Sequence, residues 1–213
     1  MNPKLAFNLS HSALIRIWHW LTFSVLIFSL FTVLIGNTLL KGRENVNLVK
    51  NSLKESGVTV TDQQARGVAH EFHDLIWTWH KIVGYGLIFL LFSRFIIEFL
   101  QSRHERILVR MKDAKNAMSS PGADIDDLKH FILVNWAYIL FFLLLAFMGL
   151  TGLGMAYEDD VPWLDHMKHF NHTVHGYGQY LIYTYVVLHI GGAVMADIKK
   201  HKGLISGMIN GNQ

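Results

Sequence analysis

Four apolar stretches, each close to the length that crosses a bilayer, constrain this chain more than any other feature of its sequence. They run from about Ala13 to Ile35, Ile76 to Phe99, Phe131 to Met155 and Gly176 to Asp197. A hydrocarbon core about 30 Å thick needs roughly 20 apolar residues in a helix. Water is absent there, so the backbone must satisfy its own polar groups, and only helices or closed barrels can span. These runs lack the alternation of barrel strands, and none of the three prolines falls inside one. Charged residues make up 16% of the chain, against about 25% in ordinary soluble domains. The expectation is an all-α, integral membrane four-helix bundle, with residues 1–213 forming a single domain in a lipid bilayer. A cleaved signal peptide fits the first stretch poorly. Arg16 and His19 interrupt it, it is too long for a leader's apolar region, and no small-residue cleavage site follows.

Lysine and arginine set the orientation. One side would carry Lys4, Arg16, Arg103, Arg106, Arg110, Lys112, Lys115, Lys129, Lys199, Lys200 and Lys202. The other would carry Lys41, Arg43, Lys50, Lys54, Arg66 and Lys168. Both termini are therefore expected in the cytoplasm. The basic residues flank the spans and form no cluster suited to nucleic acid. The chain has no cysteine, which excludes an iron–sulfur cluster, a thiolate zinc site and a covalently attached haem within it. In the long outer connection, "TDQQARGVAHEFHD" reads as a short helix leading into the second span. Residues 156–172 read as an interfacial turn or half-helix.

Thirteen histidines occur, and those inside spans are the ones that need a reason to be there. His19, His80 and His189 lie within the apolar runs, and His175 lies at the outer mouth of the fourth. His175 and His189 are 14 residues apart. On a helix that is just under four turns, so the rings share a face about 21 Å apart along the axis. A single metal ion cannot bridge them; two cofactors stacked across the membrane can use one each. Helix direction then pairs His19 with His189 towards the cytoplasm, and His80 with His175 towards the outside. Two histidine pairs within a helical bundle are what two bis-histidine b-type haems require. His73, seven residues before His80 and on nearly the same face, is its rival but falls at or above the interface. Gly84, Gly176, Gly178, Gly191 and Gly192 follow these histidines and read as clearance for a porphyrin, or as ordinary packing of membrane helices.

Several short motifs now carry a resemblance. "RIWHW" at Arg16–Trp20, "WHKIVGYGLIFLLFSR" at Trp79–Arg94, "LTGLGM" at Leu150–Met155, the His175–His189 spacing and "GLISGMINGN" near the C-terminus resemble bacterial di-haem cytochrome b561. The likeness is greatest to the cytochrome b subunits of membrane-bound nickel–iron hydrogenases and their relatives in formate dehydrogenase and thiosulfate reductase. It implies electron transfer in the bacterial cytoplasmic membrane between an outer redox partner and quinone. Electrons would enter at the His80/His175 level and leave at the His19/His189 level. The implied partner is an iron–sulfur or multihaem subunit, and the oligomeric state stays open.

Other residues are candidates for lesser roles. Arg16, Lys81 and Arg94 could neutralise haem propionates or snorkel to the interface. His130, Asn135 and Asp197 could hydrogen-bond a quinone. His166, His169 and His172 depart from the family pattern and suit a wet helix mouth or a partner-facing surface. Two other functions fit the same histidines. One is a stand-alone cytochrome b561 oxidoreductase acting on quinone or a small reductant. The other is a metal transporter or membrane anchor without haem.

Overall fold

A computed structural model describes residues 12–199 and 203–211. Lys4, Lys200 and Lys202, which entered the reading of orientation, lie outside the described residues. The helices are α1 (Ala13–Thr38), α2 (Gly42–Glu55), α3 (Asp62–Leu100), α4 (Ile107–Ala117), α5 (Ile125–Ala156), α6 (Pro162–His166), α7 (Lys168–Lys199) and α8 (Leu204–Asn210). No strand occurs among the described residues. Of these helices α1, α3, α5 and α7 are long and apolar enough to cross a membrane. They contain the four apolar runs, so the chain is an all-α membrane protein with the four spans of a four-helix bundle.

The spanning helices outrun their apolar segments because polar signals start them early. α3 begins at Asp62, well before the run at Ile76. Thr61 Oγ1 accepts from Gln64 N at 3.3 Å, and Gln64 Oε1 accepts from Thr61 N at 2.9 Å. This reciprocal box satisfies two amides that a helix start leaves unpaired. The helix foreseen before the second span is thus continuous with it. α5 begins before its run for a similar reason. Asp124 accepts from Asp127 N at 3.1 Å, while Asp126 and Asp127 place negative charge at the positive end of the helix dipole.

The chain divides into two units, residues 21–87 and the rest. In the first, α1 and α3 approach through small residues. A Cβ on Gly36 would lie 3.3 Å from Trp77, and one on Gly86 would lie 3.7 Å from Val25. An ion pair between Lys50 and Asp62 ties α2 to the start of α3.

In the second unit α5 packs along α7, again through glycine. A Cβ on Gly154 would meet Asn171 Nδ2 at 2.5 Å, and one on Gly178 would meet Met148 Sδ at 2.5 Å. Gly178 therefore serves helix contact, which corrects its reading as porphyrin clearance. The amphipathic α4 lies on the start of α5 through Ala114, Leu128 and Phe131. Outward-facing Phe89, Leu143 and Val187 are each more than 60% exposed. Apolar exposure on this scale belongs to a lipid-facing surface.

The turn between α5 and α7 is fastened by a buried carboxylate. Glu158 is 8% exposed and lies 2.8 Å from Lys168 Nζ and 3.0 Å from His172 Nε2. Burial pushes its carboxyl pKa up, but the hydrogen bonds and charges of Lys168 and His172 outweigh this and hold it below the ordinary value. A lowered native pKa stabilises the fold above the unfolded pKa, and the contribution is lost as pH falls through the native pKa. Two outcomes are expected from thermal unfolding in detergent. Glu158→Gln should be less stable than the parent near neutral pH, with the difference shrinking below about pH 4.3. Asp124→Ala should lose about 1 kcal/mol through the missing cap of α5.

Candidate functional site

The motif at the start of α1 sends its side chains in several directions, because consecutive helical residues turn by about 100°. Trp18 donates its indole N–H to the carbonyl of Leu90 on α3 at 2.8 Å. Trp20 donates to the carbonyl of Met208 on α8 at 2.9 Å. Arg16 reaches Gly211, and its guanidinium lies so close that a side chain at 211 would overlap it. Gly211 also holds a φ of 77°, a backbone conformation that suits glycine. His19, between the two tryptophans, faces α7.

There it meets His189. The ring centroids are 6.1 Å apart and the planes are inclined by 55°. Two imidazoles binding one metal from opposite sides need two bonds of about 2.0–2.1 Å plus roughly half a ring width each, or about 6 Å in all. The spacing is one at which His19 and His189 would together hold a single iron. Tyr185, one turn before His189, stacks on it at 5.8 Å and 8°, and Phe141 of α5 stacks on Tyr185 at 5.0 Å. This aromatic row holds the α7 imidazole in place.

Polar atoms flank His19 along α1. Arg16 Nε and Nη1, three residues before it, are buried and find no hydrogen-bond partner among the described residues. The same holds for Thr22 Oγ1, three residues after it. Buried donors left like this cost free energy, and they suit a polar or anionic group arriving beside His19. Gly191 and Gly192 follow His189, and a Cβ on either would have no described atom within 4 Å. Two imidazoles at iron-holding distance, buried donors beside one and open space beside the other form a donor set that would hold an iron porphyrin with its carboxylates.

Arg94 is buried at 8% exposure and already has neighbours. It faces the rings of Trp18 and Phe142 at 5.9 and 5.8 Å, and its Nη1 lies 3.0 Å from Glu98 Oε2. That ion pair is off the N–H direction, so it is electrostatic more than a formed hydrogen bond. Glu98 in turn caps α4 by accepting from Ile107 N at 2.6 Å. Asn135 is buried and donates its amide to the carbonyl of Phe131 at 2.8 Å. Asp197 accepts from Ile205 N at 3.1 Å and so anchors α8. Of the residues considered for quinone, His130 is exposed at the start of α5.

The other two span histidines each meet a threonine within their own unit. His80 Nδ1 is 2.9 Å from Thr32 Oγ1, and His175 Nδ1 is 2.9 Å from Thr151 Oγ1. Gly152 lets the His175 ring come close, since a Cβ there would lie 3.2 Å from Cε1. Sequence reasoning did not find Thr32 or Tyr185, and it took Thr151 and Gly152 only as part of the motif at Leu150–Met155, without a role. The only available signal was a hydroxyl in the middle of an apolar run, which ordinarily means back-bonding to the helix's own carbonyls.

The remaining outer histidines have local roles. His73 Nε2 accepts from the Trp77 indole at 2.9 Å, so the proton of the neutral ring sits on Nδ1, which faces Asp74 at 3.6 Å. His70 completes a group with His73 and Asp74 of metal-binding compactness, but this tautomer leaves His73 no lone pair for an ion. His166 bonds the carbonyl of Pro162 at 2.7 Å, His172 bonds Glu158, and His169 is exposed.

The sequence pattern of prokaryotic cytochrome b561 matches residues 10–211. No characterised protein and no solved structure gave a match. Four spanning helices, histidines set within them and a match over nearly the whole length lead to one conclusion: the chain belongs to the prokaryotic cytochrome b561 family, and is a multi-pass membrane protein that moves electrons across the membrane by means of b-type haem.

Proposed function

We propose that this protein conducts electrons between a redox partner on the outer side of the bacterial cytoplasmic membrane and the quinone pool. It would do so with two bis-histidine b-type haems, the inner held by His19 and His189 and the outer by His80 and His175. The observation that carries this reading is the inner pair, two imidazoles on different helices 6.1 Å apart and flanked by buried polar atoms that find no hydrogen-bond partner among the described residues. Bound haem supplies a one-electron iron couple in a chain whose own side chains include no cysteine to offer one.

The residues divide the remaining work. Arg16 brings positive charge to the level of His19, with Nε and Nη1 unbonded among the described residues, which favours a propionate there. Arg94 is committed to Glu98 and two aromatic faces, so its contribution would be to the local field rather than to direct binding. Asn135 keeps its carbonyl oxygen as an acceptor, and a quinol hydroxyl near the inner level is the ligand it suits. The outer assignment to His80 in preference to His73 is supported by chemistry, since the His73 lone pair is taken by Trp77. The partner is expected to be an iron–sulfur or multihaem subunit, because this chain has no cysteine for a cluster of its own. The bias of arginine and lysine supports termini on the cytoplasmic side.

A reduced-minus-oxidised spectrum of the purified protein should show a b-type α-band, with about two haems per chain by extraction. His189→Ala and His80→Ala should each remove one haem and leave the other. A spectrum without haem would refute the reading, and unchanged haem content in either variant would refute its ligand assignment. Purification in mild detergent should bring down a redox subunit; a chain that purifies alone and reduces quinone directly would favour a stand-alone oxidoreductase.

A further inference from the structure

Two threonines, one in each unit, repeat one arrangement in separate places. Thr32, on α1, lies 2.6 Å from the carbonyl of Ser29. Thr151, on α5, lies 2.9 Å from the carbonyl of Phe147 and 3.2 Å from that of Met148. A hydroxyl and a carbonyl approach this closely only when the hydroxyl hydrogen points between them, because a carbonyl has no hydrogen to give. That fixes the hydroxyl as a donor to its own helix. The oxygen is then left to accept from the imidazole 2.9 Å away, an arrangement that places the proton on Nδ1 of His80 and of His175; beside His80 the carbonyl of Ser29 is a second acceptor for it.

The consequence is a defined tautomer. With Nδ1 protonated, Nε2 carries the lone pair, and it is the nitrogen able to ligate a metal. Both contacts are well enclosed: Thr32 is 1% exposed and Thr151 is 7% exposed. Ordinary back-bonding explains a threonine inside a helix, but not why each also meets the Nδ1 of a histidine on a different helix at the same distance.

We propose that Thr32 and Thr151 are positioning residues for the outer haem, each orienting one axial histidine and raising its donor strength. This inference rests on the assignment of His80 and His175 as ligands. A hydrogen bond accepted from Nδ1–H makes the imidazole a stronger donor, and a stronger donor favours the ferric over the ferrous state. Removing it should raise the midpoint potential of the outer haem and leave that of the inner haem in place.

The test is a redox titration, with haem content, of Thr32→Val, Thr151→Val and the matching Ser variants in the intact protein. Each Val variant should shift the outer reduction equilibrium by about tenfold, or about 59 mV for one electron, towards the reduced form. Ser should restore the parental value. The low-spin ferric signal of the outer haem should change as its imidazole planes rotate. Should a Val variant fail to accumulate, Ala at the same position removes the hydroxyl without added bulk. Potentials and signals unchanged in the Val or Ala variants would overturn the inference while leaving the ligand assignment intact. Haem retained in full by His80→Ala or His175→Ala would instead remove the assignment beneath it. An equal shift in Ser and Val would also overturn it, since the hydroxyl would then not be the cause.

Discussion

An imidazole in hydrocarbon has two nitrogens and no water. One is a donor and the other an acceptor in the neutral ring, and leaving either bare is expensive. Much of the site follows from how that demand is met. For His80 and His175 a threonine hydroxyl lies 2.9 Å from Nδ1, and the same hydroxyl also meets a carbonyl of its own helix. For His19 and His189 the rings face each other, with Tyr185 and Phe141 stacked behind.

The spans themselves were legible because hydrocarbon acts on whole segments. Twenty apolar residues carry the same message in any order, so the four runs mark α1, α3, α5 and α7 to within a few residues on their apolar sides. The spacing of His175 and His189 was legible for a related reason, since helical geometry converts residue number into face and depth. The polar extensions were less so. α3 starts at Asp62 on the strength of one Thr–Gln box, a signal only four residues long. α2 and α4 mix charged and apolar residues over a few turns, and such stretches become helices by lying against an apolar neighbour, as α4 does on Phe131.

The contacts between helices were the least legible part. Gly178 looked like space for a cofactor and turned out to accommodate Met148. Nothing in the local sequence separates these uses, because a glycine records only that something comes close. Thr151 and His175 are 24 residues apart on antiparallel segments of one unit, with no periodicity linking them. Glu158 and His172 are similar: His172 read as a wet or partner-facing residue, and its place is set by a buried carboxylate on the preceding turn. Partner choice across helices depends on rotation about each axis, which the sequence encodes only through the summed packing of all the faces.

The bond from Trp20 to Met208 joins residues 188 positions apart, and Gly211 rests on Arg16 in the same corner. One side of the His19 environment is therefore built from a segment almost the whole described chain away. Its enclosure cannot be completed by α1 alone and depends on a contact of very long range, in which the short helix α8 acts as a clasp on the motif at the start of α1.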